Sequence, residues 1–418
     1  MILLVAYIFN FIDRQIISVL ALPIKQDLAL TDRELGLMGG IAFAIFYTTM
    51  AIPIAWLADR TKRVNIIAVS VALWSLFTAF CGLAQNFWQL FFTRMGVGVG
   101  EAGGVAPSYA LIADLFPSER RASAMALFSL GVPVGSALGV FFGGWIADHL
   151  DWRAAFLIVG LAGLPIAVLV KLIVKEPPRG GFERAHDASA AREGAPPLAE
   201  VARHLLKLPG FWLLSLGGAS ASALNYGLLF WMPSFFGRTF HLGVAEVSWY
   251  YGTIILVGGV AGIWLGGRIG DHLAKTLPGG FALLPAVAFT LAIPTIAAAL
   301  FAPSLPLSWM LFALGQMLTM AWLGPVTAGV QHIVPSSMRA VGSSVFLFVV
   351  SLTGMGFGIF FLGMMSDWMT ARYGEAALQY SILYGLSLYV LAASLFCWAA
   401  RILASGAARG PDAPSVKS

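Results

Sequence analysis

The chain has 418 residues, 59% of them hydrophobic and 11% charged, with a mean hydropathy of +0.84. A soluble globular chain is about 45–50% apolar and about 25% charged, so this composition excludes that class, along with disordered and collagen-like chains, and points to a polytopic membrane protein. The net charge of +5 (25 basic, 20 acidic residues) and pI of 9.3 raise nucleic-acid binding, which the placement of the basic residues excludes below. Cys81 and Cys397 sit in separate apolar runs and form no CxxC, which argues against a disulfide framework or a thiolate metal site.

A bilayer helix needs about 20 mostly apolar residues. Twelve stretches qualify: 2–26, 34–58, 64–84, 88–114, 122–148, 153–174, 209–236, 244–267, 280–302, 306–333, 340–366 and 376–403. The first is too long for a cleavable signal peptide and lacks a basic leader or small-residue cleavage site. Only one gap between spans is long. Its charged, Pro- and Ala-rich first part reads as a linker, and its end, with Leu198, Val201, Ala202, Leu205 and Leu206 at helical spacing, predicts a short helix on the membrane surface. The expected organisation is a six-helix half over 1–174, a cytoplasmic linker over 175–208, a second six-helix half over 209–403 and a cytoplasmic tail over 404–418.

With the N-terminus inside, eighteen basic residues fall on the cytoplasmic side and five outside (Lys25, Arg33, Arg153, Arg238, Arg372), while Arg14 and Arg94 lie within spans. The positive-inside bias then places both termini in the cytoplasm. It also makes the basic residues topological anchors rather than a nucleic-acid surface.

Shifting the sequence by 218 residues overlays Pro107, Pro117, Ser118, Arg121, Ala122, Phe128 and Phe142 on Pro325, Pro335, Ser336, Arg339, Ala340, Phe346 and Phe360. A second echo joins ADRTKR after span 2 to GDHLAK after span 8. Both link equivalent positions of two six-span halves that enter the membrane in the same sense, the parallel-repeat arrangement of rocking carriers.

Twelve spans, a central cytoplasmic linker and the DRxxR-type loop after span 2 resemble the major facilitator superfamily over the whole chain. Within it, FNFIDRQ (9–15), RMGVGVGEAGGVAPSYALIADLFPSERR (94–121) and GVPVGSALG (131–139) resemble the spinster family of sphingolipid and lysolipid transporters, in a bacterial homologue. The loop motif departs from the family pattern: Ala55 stands where Gly is usual, and Thr61-Lys62 follows Asp59-Arg60 without the usual Gly. The resemblance implies an all-α integral membrane fold of two pseudo-symmetric six-helix halves, alternating access, a central cavity lined by spans 1, 4, 7 and 10, and a bacterial inner-membrane location. It places the span 5 glycines in an antiporter-type motif, although close helix packing explains them equally.

A charged side chain near the bilayer centre costs about 2.5–3.5 kcal/mol on insertion scales. Asp13 and Arg14 lie halfway along span 1, and Arg94 and Glu101 lie in span 4, two turns and about 10 Å apart on one face. Burial disfavours an ionised carboxyl and a nearby guanidinium favours it. Asp13 and Glu101 are therefore the expected proton carriers, with Arg94 coupling protonation to cargo. Arg94 and Arg14 could hold an anionic headgroup, although Arg14 points about 100° away from Asp13. A purely structural network is the competing reading.

The second half has no Asp, Glu, Lys or Arg in a span interior. Its candidate cargo residues are Asn225, Tyr226 and Trp231 in span 7, Gln316, Met320 and Trp322 in span 10, and Thr353 in span 11. A charged half facing an apolar, aromatic half suits an anionic amphiphile, although Met and aromatics are also ordinary packing residues. The resemblance further implies a cytoplasmic latch in which Asp59 meets the N-terminus of span 11, with Arg60, Arg63, Asp114 and Asp271 around it.

No His pair has metal-ligand spacing and no Walker A motif occurs; neither a metal, a cofactor nor ATP is expected. Paired His, a Ser-His pair and DxD are absent at the span ends, so an enzyme is not expected. The expected partners are membrane lipids, protons and a small amphiphilic substrate, without nucleic acid, and a monomer suffices because one chain holds both halves. Small organic anions and drugs are the alternative cargoes, and a transport-dead scaffold would not need the costly charges.

Overall fold

The computed structural model describes residues 1–58, 60–116, 124–125, 127–177, 198–277, 279–335 and 338–405. These are helical almost throughout, with no strand among them. Among the described residues, ten helical stretches are long and apolar enough to cross a membrane, and they account for eleven of the twelve spans. The last, Val341–Ala404, is 64 residues long and reverses direction at Gly374, whose φ of 55° suits glycine. Span 4 is missing from the ten because it is two pieces, Phe87–Glu101 and Val105–Leu115, neither long enough alone.

Helix starts follow local chemistry. Thr31 and Glu34 form a capping box at the start of span 2, Asn86 Oδ1 accepts the Gln89 amide at 3.0 Å before span 4, and Asp151 Oδ1 accepts that of Ala154 at 2.6 Å before span 6. Span 3 is capped from a distance: Glu176 accepts the amides of Arg63 and Val64 at 3.1 and 3.0 Å, a carboxylate at a helix N-terminus. The predicted short helix is present as Leu198–Leu206, with Val201 and Leu205 buried and Arg203 and Leu206 exposed, as is Lys207 just after it.

The chain forms two compact units. The first comprises Met1–Ala190, Tyr226–Leu256 and Met355–Ile382, so it joins the six N-terminal spans to parts of spans 7, 8, 11 and 12. The second comprises Ala191–Asn225, Val257–Gly354 and Leu383–Ser418.

Within the first unit, span 5 lies directly on span 1. A Cβ added at Gly135 would stand 2.4 Å from the Ile8 carbonyl oxygen, and one at Gly139 would stand 2.8 Å from that of Ile12. The glycine stripe of span 5 is thus a packing surface, small residues letting two backbones approach. In the same unit, the π-helical turn at Leu37–Ile41 in span 2 meets the 355–358 part of a second π-helical turn, Leu352–Gly358, in span 11, with a Cβ at Gly40 falling 2.9 Å from the Met355 carbonyl oxygen. Gly135→Val should lower stability by about 1–3 kcal/mol through overpacking, read as a lower Tm in detergent. Gly259→Ala is the control, since nothing lies within 4 Å of a Cβ there. Equal Tm values for both variants would contradict this packing.

Candidate functional site

The first unit gathers the four charged residues of spans 1 and 4. Glu101 is 0% exposed, Asp13 and Arg94 are 1% exposed, and the Arg14 side chain is 12% exposed. Arg14 crosses to span 4: its Nη2 and Nε donate to Glu101 Oε2 at 2.5 and 3.1 Å. Its guanidinium sits 4.9 Å from the ring centroids of each of Phe11, Phe43 and Tyr47, an aromatic cage within cation–π range. Nη1 points at Met355 Sδ, 3.8 Å away.

Sequence spacing put Arg94 and Glu101 on one face of span 4, but the structure gives Glu101 its cation from span 1. Helical spacing fixes neighbours within one helix, while the partner across two helices depends on their packing. The 100° divergence that counted against Arg14 is what lets it reach Glu101 on span 4. Arg94, Glu101 and Thr78 of span 3 all lie near Asp13, but Arg94 forms no ion pair with it, and Arg94 lies 5.5 Å from the Phe43 ring. Removing one partner of a buried ion pair leaves an uncompensated charge, typically costing 3–5 kcal/mol.

A narrow cavity of about 30 Å³ opens beside these residues, lined by Arg14, Arg94, Phe43, Tyr226, Phe230 and Met355 among others. It has room for a water molecule. Tyr226 faces Arg14. Trp231 is fully buried and donates its Nε1–H to the Ile359 carbonyl at 2.8 Å, a packing role in the first unit.

The remaining cargo candidates lie in the second unit. Asn225 is spoken for: its Nδ2 donates to the Thr319 carbonyl at 3.3 Å, and its Oδ1 accepts Tyr389 O–H at 2.6 Å. Gln316 and Met320 are half-buried and pack against Gly258 and Gly262, Trp322 is buried against Gly218, and Thr353 is half-buried in the π-helical turn.

Of the latch residues, Arg63 Nη1 forms an ion pair with Asp114 Oδ2. Arg60 is exposed and stacks 3.8 Å over the Trp56 ring, and Asp271 is exposed. Asp59 lies outside the described residues.

Sequence reasoning missed a second ionic centre, at the end of the first unit remote from Met1. Asp32 is 1% exposed and accepts Lys25 Nζ at 2.6 Å, Arg238 Nη1 and Nη2 at 2.7 and 2.6 Å, and Ser366 Oγ at 2.7 Å. Asp367 accepts the amides of Asp32 and Arg33 at 3.0 and 2.7 Å. The signal available was an acidic residue at a span end with Lys25 nearby, which positive-inside counting treated only as topology.

Residues 3–358 match the Major Facilitator Superfamily. The chain belongs to that superfamily. It is a multi-pass membrane transporter related to the spinster proteins. An MFS-type efflux pump of Mycolicibacterium smegmatis is 32% identical over 395 residues, covering 94% of this chain and 89% of that one. Protein spinster homolog 3 of Danio rerio is 29% identical over 445 residues, 98% and 88% of the two chains. The crystal structure of a bacterial homolog to the human lysosomal transporter spinster, inward-facing and unoccupied, superposes with a TM-score of 0.86 at 32% identity, over 99% of this chain and 98% of that one.

Asp32→Ala should destabilise the first unit by about 3 kcal/mol, because Lys25 and Arg238 lose the anion between them. Thermal unfolding in detergent checks this, and an unchanged Tm would show that the cluster contributes nothing.

Proposed function

We propose that this transporter is a proton-coupled secondary carrier of lysolipid- or sphingolipid-like anionic amphiphiles, working by alternating access in a bacterial inner membrane with both termini cytoplasmic. The observation that carries the reading is the Arg14–Glu101 pair: a fully buried carboxylate with one oxygen on a guanidinium and the other, Oε1, without a hydrogen-bond partner. Protonating Oε1 removes the charge that holds Arg14. The guanidinium is then free for another anion, such as a phosphate headgroup, which Arg binds with a fork of donors. Proton binding and headgroup binding thereby favour each other, a coupling that is reciprocal by linkage.

Asp13 is the second carboxyl of the same system, and Arg94 is the cation that answers it. Arg94 thus couples protonation to cargo through Asp13, and Arg14 does so through Glu101. An acyl chain suits the second half, whose span interiors carry no Asp, Glu, Lys or Arg. The Arg63–Asp114 pair, with Glu176 on the start of span 3, supports a cytoplasmic latch that also includes Asp59, Arg60 and Asp271.

The M. smegmatis relative, an MFS-type efflux pump, favours a second reading: efflux of drugs or small organic anions against protons.

In proteoliposomes with an imposed pH gradient, lysophospholipid movement should depend on the gradient in the wild type and lose that dependence in Glu101→Gln, which should still fold. Arg14→Ala should weaken binding of anionic lysolipids about tenfold, equivalent to about 1.4 kcal/mol, and of neutral ones less. Gradient-dependent lysolipid movement in Glu101→Gln would overturn the proton role. Proton flux triggered by cationic drugs and not by lysolipids would replace the cargo.

A further inference from the structure

Among the described residues, ten buried polar atoms without a hydrogen-bond partner fall on spans 1, 3 and 4; setting aside Arg63 Nε at the start of span 3 and Ser75 Oγ, which lies against Gly163 of span 6, eight remain. They are Asn10 Nδ2 and Oδ1, Asp13 Oδ1, Trp74 Nε1, Thr78 Oγ1, Arg94 Nε and Nη1, and Glu101 Oε1. Every one of these side chains is at most 2% exposed. Their placement is local. Asn10 is one turn before Asp13 on the same face of span 1. Thr78 faces Asp13 and is one turn after Trp74 on span 3. The Trp74 ring lies along the span 4 segment that holds Glu101: a Cβ at Gly104 would meet the ring at 3.2 Å, and one at Gly100 would meet the Trp74 backbone at 2.5 Å.

An unsatisfied buried polar group costs about 1–3 kcal/mol, and buried orphans in native proteins are few. A shared ligand therefore satisfies this set. Its chemistry selects the ligand. Asn10 Nδ2, Trp74 Nε1 and the two Arg94 nitrogens are donors; Asn10 Oδ1 and the two carboxylate oxygens are acceptors; the Thr78 hydroxyl is both. The arginine repels a metal cation and the two carboxylates repel an anion. Water, which gives and takes hydrogen bonds, fits both sets.

We propose that Asn10, Trp74 and Thr78 hold a short file of ordered waters that passes a proton between Asp13 and Glu101. This rests on the proton-coupled reading above and assigns positioning roles to three residues outside it. In the transfer, the Asp13 O–H bond breaks and the Glu101 Oε1–H bond forms. Each water between them accepts one proton and gives up another. A neutral Asp13 and ionised Glu101 become an ionised Asp13 and neutral Glu101, so the net charge of the site is unchanged. The new carboxylate faces Arg94, and Arg14 is released. The charged and titratable groups around the file are Arg94 and Glu101 of span 4, Cys81 of span 3, Tyr7 and Arg14 of span 1, Tyr47 of span 2 and Tyr226 of span 7.

Thr78→Val keeps shape and removes one hydroxyl; Trp74→Phe removes the indole N–H together with part of the ring that packs on Gly104. In wild-type and variant proteoliposomes, the maximal rate of proton uptake driven by lysophospholipid should fall about tenfold in each variant, with less change in the half-saturating lysophospholipid concentration. The D₂O solvent isotope effect should rise. Tm in detergent should stay level or fall, because a water loses a partner. Wild-type uptake rates in both variants would overturn the relay. A Tm raised by about 2–4 °C in both would also overturn it, because relief of a dry orphan stabilises a core. If the wild type itself moves no protons, the proton-coupled reading and the relay both fail, whereas loss of uptake in Glu101→Gln with full uptake in Trp74→Phe and Thr78→Val sinks the relay alone.

Discussion

An ionised carboxylate in the interior of a membrane-spanning bundle needs a cation, and Arg14 supplies one to Glu101 at 2.5 Å. In a medium of low dielectric constant neither charge is tolerable without the other, so the protonation state of Glu101 and the freedom of Arg14 are one variable. The aromatic cage of Phe11, Phe43 and Tyr47 holds the guanidinium where it pairs with Glu101. Asp13 and Arg94 lie nearby, and Phe43 lies beside both arginines. The energetic penalty of bilayer burial makes four charged residues behave as a coupled set.

That set needs a rigid frame. Span 5 provides it by laying Gly135 and Gly139 against the backbone of span 1, which fixes the helix bearing Asn10, Asp13 and Arg14. Span 4 is broken at 102–104, just past Glu101, where Gly104 admits the Trp74 ring and Gly103 lies against Ser70. The Asp32 centre and the facing π-helical turns tie the remote end of the first unit.

Much of the fold was legible in the sequence because the bilayer imposes a simple rule, about 20 apolar residues per span. The break in span 4 was not, because GEAGGVAP reads as apolar and small whether helical or not. Spans 7 and 8 run past their expected ends to Phe240 and Thr276, since a helix can outlast its apolar stretch. The cost of buried charge marked Asp13, Arg14, Arg94 and Glu101. What the sequence did not reveal is who pairs with whom: Arg14 meeting Glu101, and Arg238 meeting Asp32 across 206 positions, are facts of interhelical packing. The same holds for Asn225, whose amide looked available to cargo and is occupied by Thr319 and Tyr389.

The most direct measurement is the number of protons exchanged when an anionic lysophospholipid binds the detergent-purified protein, read by calorimetry in buffers of different ionisation enthalpy. If Arg14 is shared between Glu101 and the headgroup, the wild type takes up a proton from solution on binding at neutral pH, and Glu101→Gln binds without taking one up. Proton uptake that persists in Glu101→Gln, or its absence from the wild type despite tight binding, would contradict the Arg14–Glu101 pair as the coupling element.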